Sequence, residues 1–126
     1  MKTIIIDDSK LFREILKNMC SELGCDVVTE FERGDVFLSE LKQEKYLDTE
    51  ILFLDINMPG PSGKELLDPI LEVHPSLVII MISTFNDMQT VDECLDLGAT
   101  NYINKDTKID QMKSIIQKTF EMNGLM

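Results

Sequence analysis

Asp7 and Asp8 close the apolar run Thr3-Ile4-Ile5-Ile6, and Asp55 closes a second run, Ile51-Leu52-Phe53-Leu54. A carboxylate at the end of a buried strand costs several kcal/mol to desolvate unless it is paired or holds a metal. If the two runs are neighbouring parallel strands, their C-terminal ends share one edge of the sheet. In open α/β sheets that edge, near the reversal of strand order, is where ligands bind. Three carboxylates would converge there. Two unit charges about 4 Å apart repel by roughly 4 kcal/mol at an effective dielectric near 20. A hard divalent cation removes that penalty, and Mg2+ suits a site of few carboxylates plus waters.

Such a site needs elements that bring residues 7, 8 and 55 together. β-branched and aliphatic runs alternate with helical patterns five times along the chain. Strands are predicted over 2–7, 25–30, 50–55, 77–83 and 100–104. Several are almost continuous Ile, Val and Leu, as expected for strands covered on both faces. The first helix carries Leu11, Phe12, Ile15, Leu16, Met19 and Leu23, with Gly24 as its stop. The second starts after Gly34 and uses Val36, Phe37, Leu38 and Leu41. The third opens with a capping box, Ser62 and Glu65, followed by Leu66, Leu67, Ile70 and Val73. Pro69 lies inside this pattern and should kink or weaken it. The fourth runs from near Asn86 to Leu97 and stops at Gly98. The fifth begins near Thr107 and carries Ile109, Met112, Ile115, Ile116 and Phe120. Five β-α units with right-handed crossovers require a parallel sheet with helices on both faces.

Composition bounds the function. The 126 residues suit one domain, 1–126, and 44% are apolar, enough for an ordinary core. The net charge of −11 argues against nucleic acid, whose phosphates need basic surface, and against anionic membranes. Between Lys64 and Lys105 there is no Lys or Arg but seven acidic residues, so that stretch is either a solvated face or meets a neutral or basic partner. Cys20, Cys25 and Cys94 show no C-x-x-C spacing, and one histidine makes a Cys/His zinc site implausible. Reduced, buried thiols in a cytoplasmic protein fit best. Asp7 and Asp8 interrupt the N-terminal apolar run, so no signal peptide is read there.

The ends of the predicted strands carry a set of residues in order. Asp7-Asp8 follow the first. Asp55 ends the third and opens Asp55-Ile56-Asn57-Met58-Pro59-Gly60, with Gly63 beyond. Ser83 ends the fourth, and Lys105 ends the fifth, preceded by Tyr102. Each motif is weak alone, but all of them in order are highly specific. Over its whole length the chain resembles the receiver domain of two-component response regulators, in the CheY-like stand-alone form typical of chemotaxis.

The resemblance implies a flavodoxin-like, doubly wound, five-stranded parallel sheet in the order 2-1-3-4-5. It implies transfer of a phosphoryl group to Asp55 from a histidine kinase or phosphotransfer protein. Mg2+ would be held by Asp55, by Asp8 as the firmer partner, by Asp7 directly or through water, and by the backbone carbonyl of Asn57. Lys105 would supply positive charge on the opposite side, and Ser83 a hydroxyl donor, with Thr84 beside it as a competitor. Tyr102 would turn inward as Ser83 moves, altering the surface of the fourth helix, fifth strand and fifth helix that a downstream protein reads. Such a chain is a switch that catalyses only its own phosphotransfer and dephosphorylation. It acts as a monomer or a phosphorylation-dependent dimer, alone or cut from a longer protein.

Three departures stand out. Asp106 follows Lys105 where the family usually has a cis-linked Pro, and a cis bond before a non-proline costs about 3–4 kcal/mol. Thr84 occupies a position where Ala or Gly is common. Phe85 lies where family members tune hydrolysis, and its ring cannot orient a water by hydrogen bonding, so slow self-dephosphorylation is expected. Rival readings are weaker. An aspartyl phosphatase would need an acid at position 57, which is Asn. A nucleotide or flavin binder would need a phosphate loop where Asp7-Asp8 stand. A degenerate receiver, serving as an interaction module without phosphorylation, stays open through Asp106.

Overall fold

Alternation of buried apolar runs with amphipathic segments builds ten elements: β1 (Lys2–Ile6), α1 (Lys10–Glu22), β2 (Asp26–Phe31), α2 (Gly34–Lys42), β3 (Ile51–Asp55), α3 (Gly63–Val73), β4 (Val78–Ser83), α4 (Met88–Asp96), β5 (Asn101–Asn104) and α5 (Ile109–Met122). The structure, a computed structural model, describes residues 1–84 and 88–125. The predicted start of the fourth helix at Asn86, and Phe85, fall outside them. Every predicted strand is present, with ends shifted by no more than one residue.

The five strands are parallel in the order β2-β1-β3-β4-β5. This is the flavodoxin-like topology, whose order reverses between β1 and β3. Side chains alternate along each strand, so the sheet carries two cores. Ile4, Ile6, Leu52, Leu54, Ile79 and Met81 face α2, α3 and α4. Ile5, Ile51, Phe53, Ile80, Ile82 and Ile103 face α1 and α5, where they meet Phe12, Leu16, Met112, Ile116 and Phe120. β3 and β4 are buried at every position, which explains their unbroken apolar sequence.

Local signals set the helix ends. Ser9 caps α1 by accepting the Phe12 N–H at 3.2 Å. Gly24, at φ 78°, lets the Cys25 N–H return to the Cys20 carbonyl at 2.8 Å and stop the helix. The Ser62/Glu65 capping box forms as predicted. Pro69 does not break α3, which runs unbroken from Gly63 to Val73. The ring sits on a half-exposed face, while Leu66, Leu67 and Ile70 are buried against the sheet. That apolar contact offsets the lost backbone bond. Cys20, Cys25 and Cys94 form no disulfide. No described helix is long and apolar enough to cross a membrane.

Candidate functional site

Register brings the acidic residues together. Ile6 of β1 pairs with Leu54 of β3, so the residues that follow, Asp7 and Asp55, lie side by side at the same sheet edge. Alternation then fixes their direction. Asp7 is in step with Ile5, Asp55 with Phe53 and Lys105 with Ile103, all on the α1/α5 side. Asp7, Asp8 and Asp55 each offer a carboxylate oxygen within 4.8 Å of the other two. Asp7 and Asp55 are buried, whereas Asp8 is exposed.

Lys105 closes the group from the far edge. Its Nζ lies 2.9 Å from Asp7 Oδ2, 3.1 Å from Asp7 Oδ1 and 3.4 Å from Asp55 Oδ2. The lysine is placed by its own backbone, whose N–H donates to the Ser83 carbonyl at 2.7 Å. All described peptide bonds are trans, so Lys105 reaches both carboxylates through a trans link to Asp106. The Asp106 N–H donates instead to the Asn104 side-chain oxygen at 2.8 Å, a local turn that a proline could not make.

The remaining contacts hold the loops. The Ser9 N–H donates to Asp7 Oδ1 at 2.8 Å. Buried Arg13 donates from Nη1 to the Asp7 carbonyl at 2.6 Å and from Nε to Glu30 at 2.8 Å. The Asn57 N–H donates to Asp55 Oδ1 at 3.3 Å. Gly63 allows the turn after β3, because a Cβ there would stand 2.3 Å from the Asp55 carbonyl oxygen. Burial, and then the charge of Asp7, push the Asp55 carboxyl up to about 7, against the opposing pull of Lys105.

A cleft of about 360 Å³ opens over this group, lined by Asp8, Asp55, Asn57, Thr84 and Lys105 and walled by α1 through Phe12 and its neighbours. The predicted site residues therefore divide. Asp7, Asp8, Asp55, Asn57, Thr84 and Lys105 meet at or beneath one cleft. Ser83 is buried at the end of β4, in step with Met81 and so on the α3/α4 side of the sheet. Tyr102 lies on that same side, outside the cleft, with its hydroxyl 3.9 Å from the Met88 sulfur.

Sequence reading missed two contributors. Arg13 carries no signal in the sequence that separates it from other helix charges, yet it is buried with its guanidinium on the Asp7 carbonyl and Glu30. Phe12 was counted as core, yet Lys105 Nζ stands 4.9 Å from its ring centroid. Only the Ser9 cap, three residues before Phe12, hinted that this ring begins a helix beside the acidic pair.

The donor set suits Mg2+. It offers three hard carboxylates within one coordination sphere's reach and an exposed side at Asp8, and buried Asp7 Oδ2 has the Lys105 ammonium 2.9 Å away to offset its charge.

A model of the response regulator receiver domain matches residues 3–117. The chemotaxis protein CheY of Listeria monocytogenes is 30% identical over 118 residues, 94% of this chain and 97% of that protein. CheY1 of Helicobacter pylori is 36% identical over 107 residues, 83% of this chain and 85% of its own length. Among solved structures, the CheX–CheY–BeF3–Mg complex from Borrelia burgdorferi aligns with a TM-score of 0.85 at 27% identity, covering 95% of this chain and 89% of that one. The isolated receiver domain of RcsB from Salmonella enterica, with phosphomimetic BeF3−, aligns at 0.79 and 26%, covering 94% and 88%. The chain belongs to the response regulator receiver domain family.

Proposed function

We propose that this chain is a cytoplasmic phosphoacceptor switch in which Asp55 takes a phosphoryl group from a phosphohistidine on a histidine kinase or phosphotransfer protein. The observation that carries this reading is the meeting of Asp7, Asp8 and Asp55 within 4.8 Å under the ammonium of Lys105. The Asn57 N–H engages Asp55 Oδ1 and Lys105 flanks Oδ2, so both oxygens are oriented, and one carboxylate oxygen of Asp55 attacks phosphorus. It forms the new P–O bond as the P–N bond to the donor imidazole breaks. The electron pair of that bond stays on nitrogen, which takes a proton from solvent. Asp55 must be ionised to attack, so the step favours pH above about 7 until a cation lowers that requirement. Asp55, Asp8, Asp7 and the Asn57 carbonyl would hold Mg2+, which supplies neutralising charge for the carboxylate and incoming phosphoryl oxygens. Lys105 balances the added charge from the other side, and Thr84 offers a hydroxyl from the cleft wall, while Ser83, buried at the end of β4, is the donor that would move toward the phosphoryl group.

The product adds about −1.5 to −2 charge at the sheet edge. Tyr102 packs on the α3/α4 side of the sheet, and strand alternation after Met81 puts Ser83 on that side too, so a Ser83 shift toward phosphate would open room for the Tyr102 ring and reshape the α4/β5/α5 surface read by a protein target. The Borrelia relative bound to BeF3 and Mg supports the site, and its CheX partner supports a protein target. The degenerate reading is not favoured, because Lys105 reaches both carboxylates despite Asp106.

The test is intact mass after incubation with acetyl phosphate and Mg2+. One phosphate adduct is expected, absent in Asp55→Ala. No adduct on the native chain overturns the reading.

A further inference from the structure

Lys105 is held on three sides. Two are carboxylates, and the third is an aromatic ring. Phe12 is 6% exposed, and its backbone N–H is fixed by the Ser9 cap in the first turn of α1. Its ring lines the cleft, and Lys105 Nζ stands 4.9 Å from the centroid, inside cation–π range. The Lys105 side chain is 12% exposed, so little water competes for its charge and the ring counts for more than it would at a surface. Behind the lysine, its own N–H is fixed to the Ser83 carbonyl and the Asp106 N–H to the Asn104 side chain, contacts that place the backbone but not the ammonium. The remaining constraint on the direction of the ammonium comes from across the cleft.

We infer that Phe12 is a positioning residue for phosphotransfer, its ring face holding the Lys105 ammonium over Asp55. This rests on the phosphoacceptor reading. It separates two roles for α1: the backbone at Ser9 orders the acidic loop, while the Phe12 side chain orders the cation.

The test uses the full chain with acetyl phosphate and saturating Mg2+. Phe12→Leu and Phe12→Met keep apolar bulk but remove the ring face, and Phe12→Tyr keeps it. Loss of the ring should lower the maximal phosphorylation rate about 3- to 30-fold. The donor concentration at half-maximal rate should stay near native, and Phe12→Tyr should restore most of the rate. In a Lys105→Met background the same ring removal should have no further effect, since the coupled partner is gone. Independently of activity, the Lys105 ε-CH2 protons should show an upfield ring-current shift that Phe12→Leu or Phe12→Met abolishes. A native rate in a folded ring-less variant, an undiminished effect in the Lys105→Met background, or no ring-current shift overturns the inference while leaving the switch intact. If the native chain takes no phosphate at all, both readings fall.

Discussion

Asp55→Asn should stabilise the protein when no divalent ion is bound. Asp7 and Asp8 each offer an oxygen within 4.8 Å of one on Asp55. At that distance, with an effective dielectric near 20, each repulsion is about 3.5 kcal/mol. Lys105 at 3.4 Å returns about 5 kcal/mol of attraction to Asp55 on the same scale. The balance disfavours the Asp55 charge by about 2 kcal/mol before desolvation is added, and solvent at exposed Asp8 trims its share. The amide removes the charge at nearly the same volume, for a gain of about 2–4 kcal/mol in unfolding free energy, the upper end being reached when desolvation is included. The upward shift of the Asp55 carboxyl to about 7 has the same sign and adds a pH signature. Between the unfolded value of 3.8 and about 7 the native state binds one more proton than the unfolded chain. Native stability therefore falls as pH rises through that window, by at most about 1.4 kcal/mol per unit, and is flat above it. The advantage of Asp55→Asn is smallest near pH 4 and complete above pH 7. Urea denaturation in EDTA at pH 5 and pH 8 measures it. Added Mg2+ should shrink that advantage, since the native chain gains about 2.7 kcal/mol at a concentration 100-fold above Kd and the amide variant less. An Asp55→Asn protein less stable than native at pH 8 in EDTA would refute the picture of a repulsive, desolvated cluster.

Two further variants are informative on the same geometry. Lys105→Met should raise Mg2+ affinity, read by calorimetry, about tenfold, because the ammonium competes with the ion for Asp7 and Asp55 and relief of only about 1.4 kcal/mol suffices. The same variant should slow phosphorylation of Asp55. Gly63→Ala should cost about 1–3 kcal/mol in denaturant unfolding, since its Cβ would meet the Asp55 carbonyl oxygen at 2.3 Å and both atoms belong to rigid backbone.

Much of this molecule is written locally in the chain. The runs ending at Asp7, Asp55 and Ser83 are apolar because both faces of the inner strands are covered, and that pattern needs no knowledge of partners. The cap at Ser62 and the stop at Gly24 satisfy nearby backbone groups, so they too are legible in short windows. The cost of Pro69 is local and visible in the chain, whereas the burial of Leu66, Leu67 and Ile70 that lets α3 continue past it is tertiary.

What the sequence determined by itself was the set of chemical groups and the strand end that each occupies. Residue type and two-residue alternation are properties of the chain alone. The tertiary structure decided which groups touch. The pairing of Ile6 with Leu54 sets Asp7 beside Asp55. Parallel packing of β4 on β5 carries Lys105 across to them. Ser83 and Tyr102 fall on the other side of the sheet, and Phe12 and Arg13 become parts of the site through contacts with residues far along the chain. Coulomb forces and hydrogen bonds depend on distances between such remote segments, and those distances exist only once the sheet has closed its register.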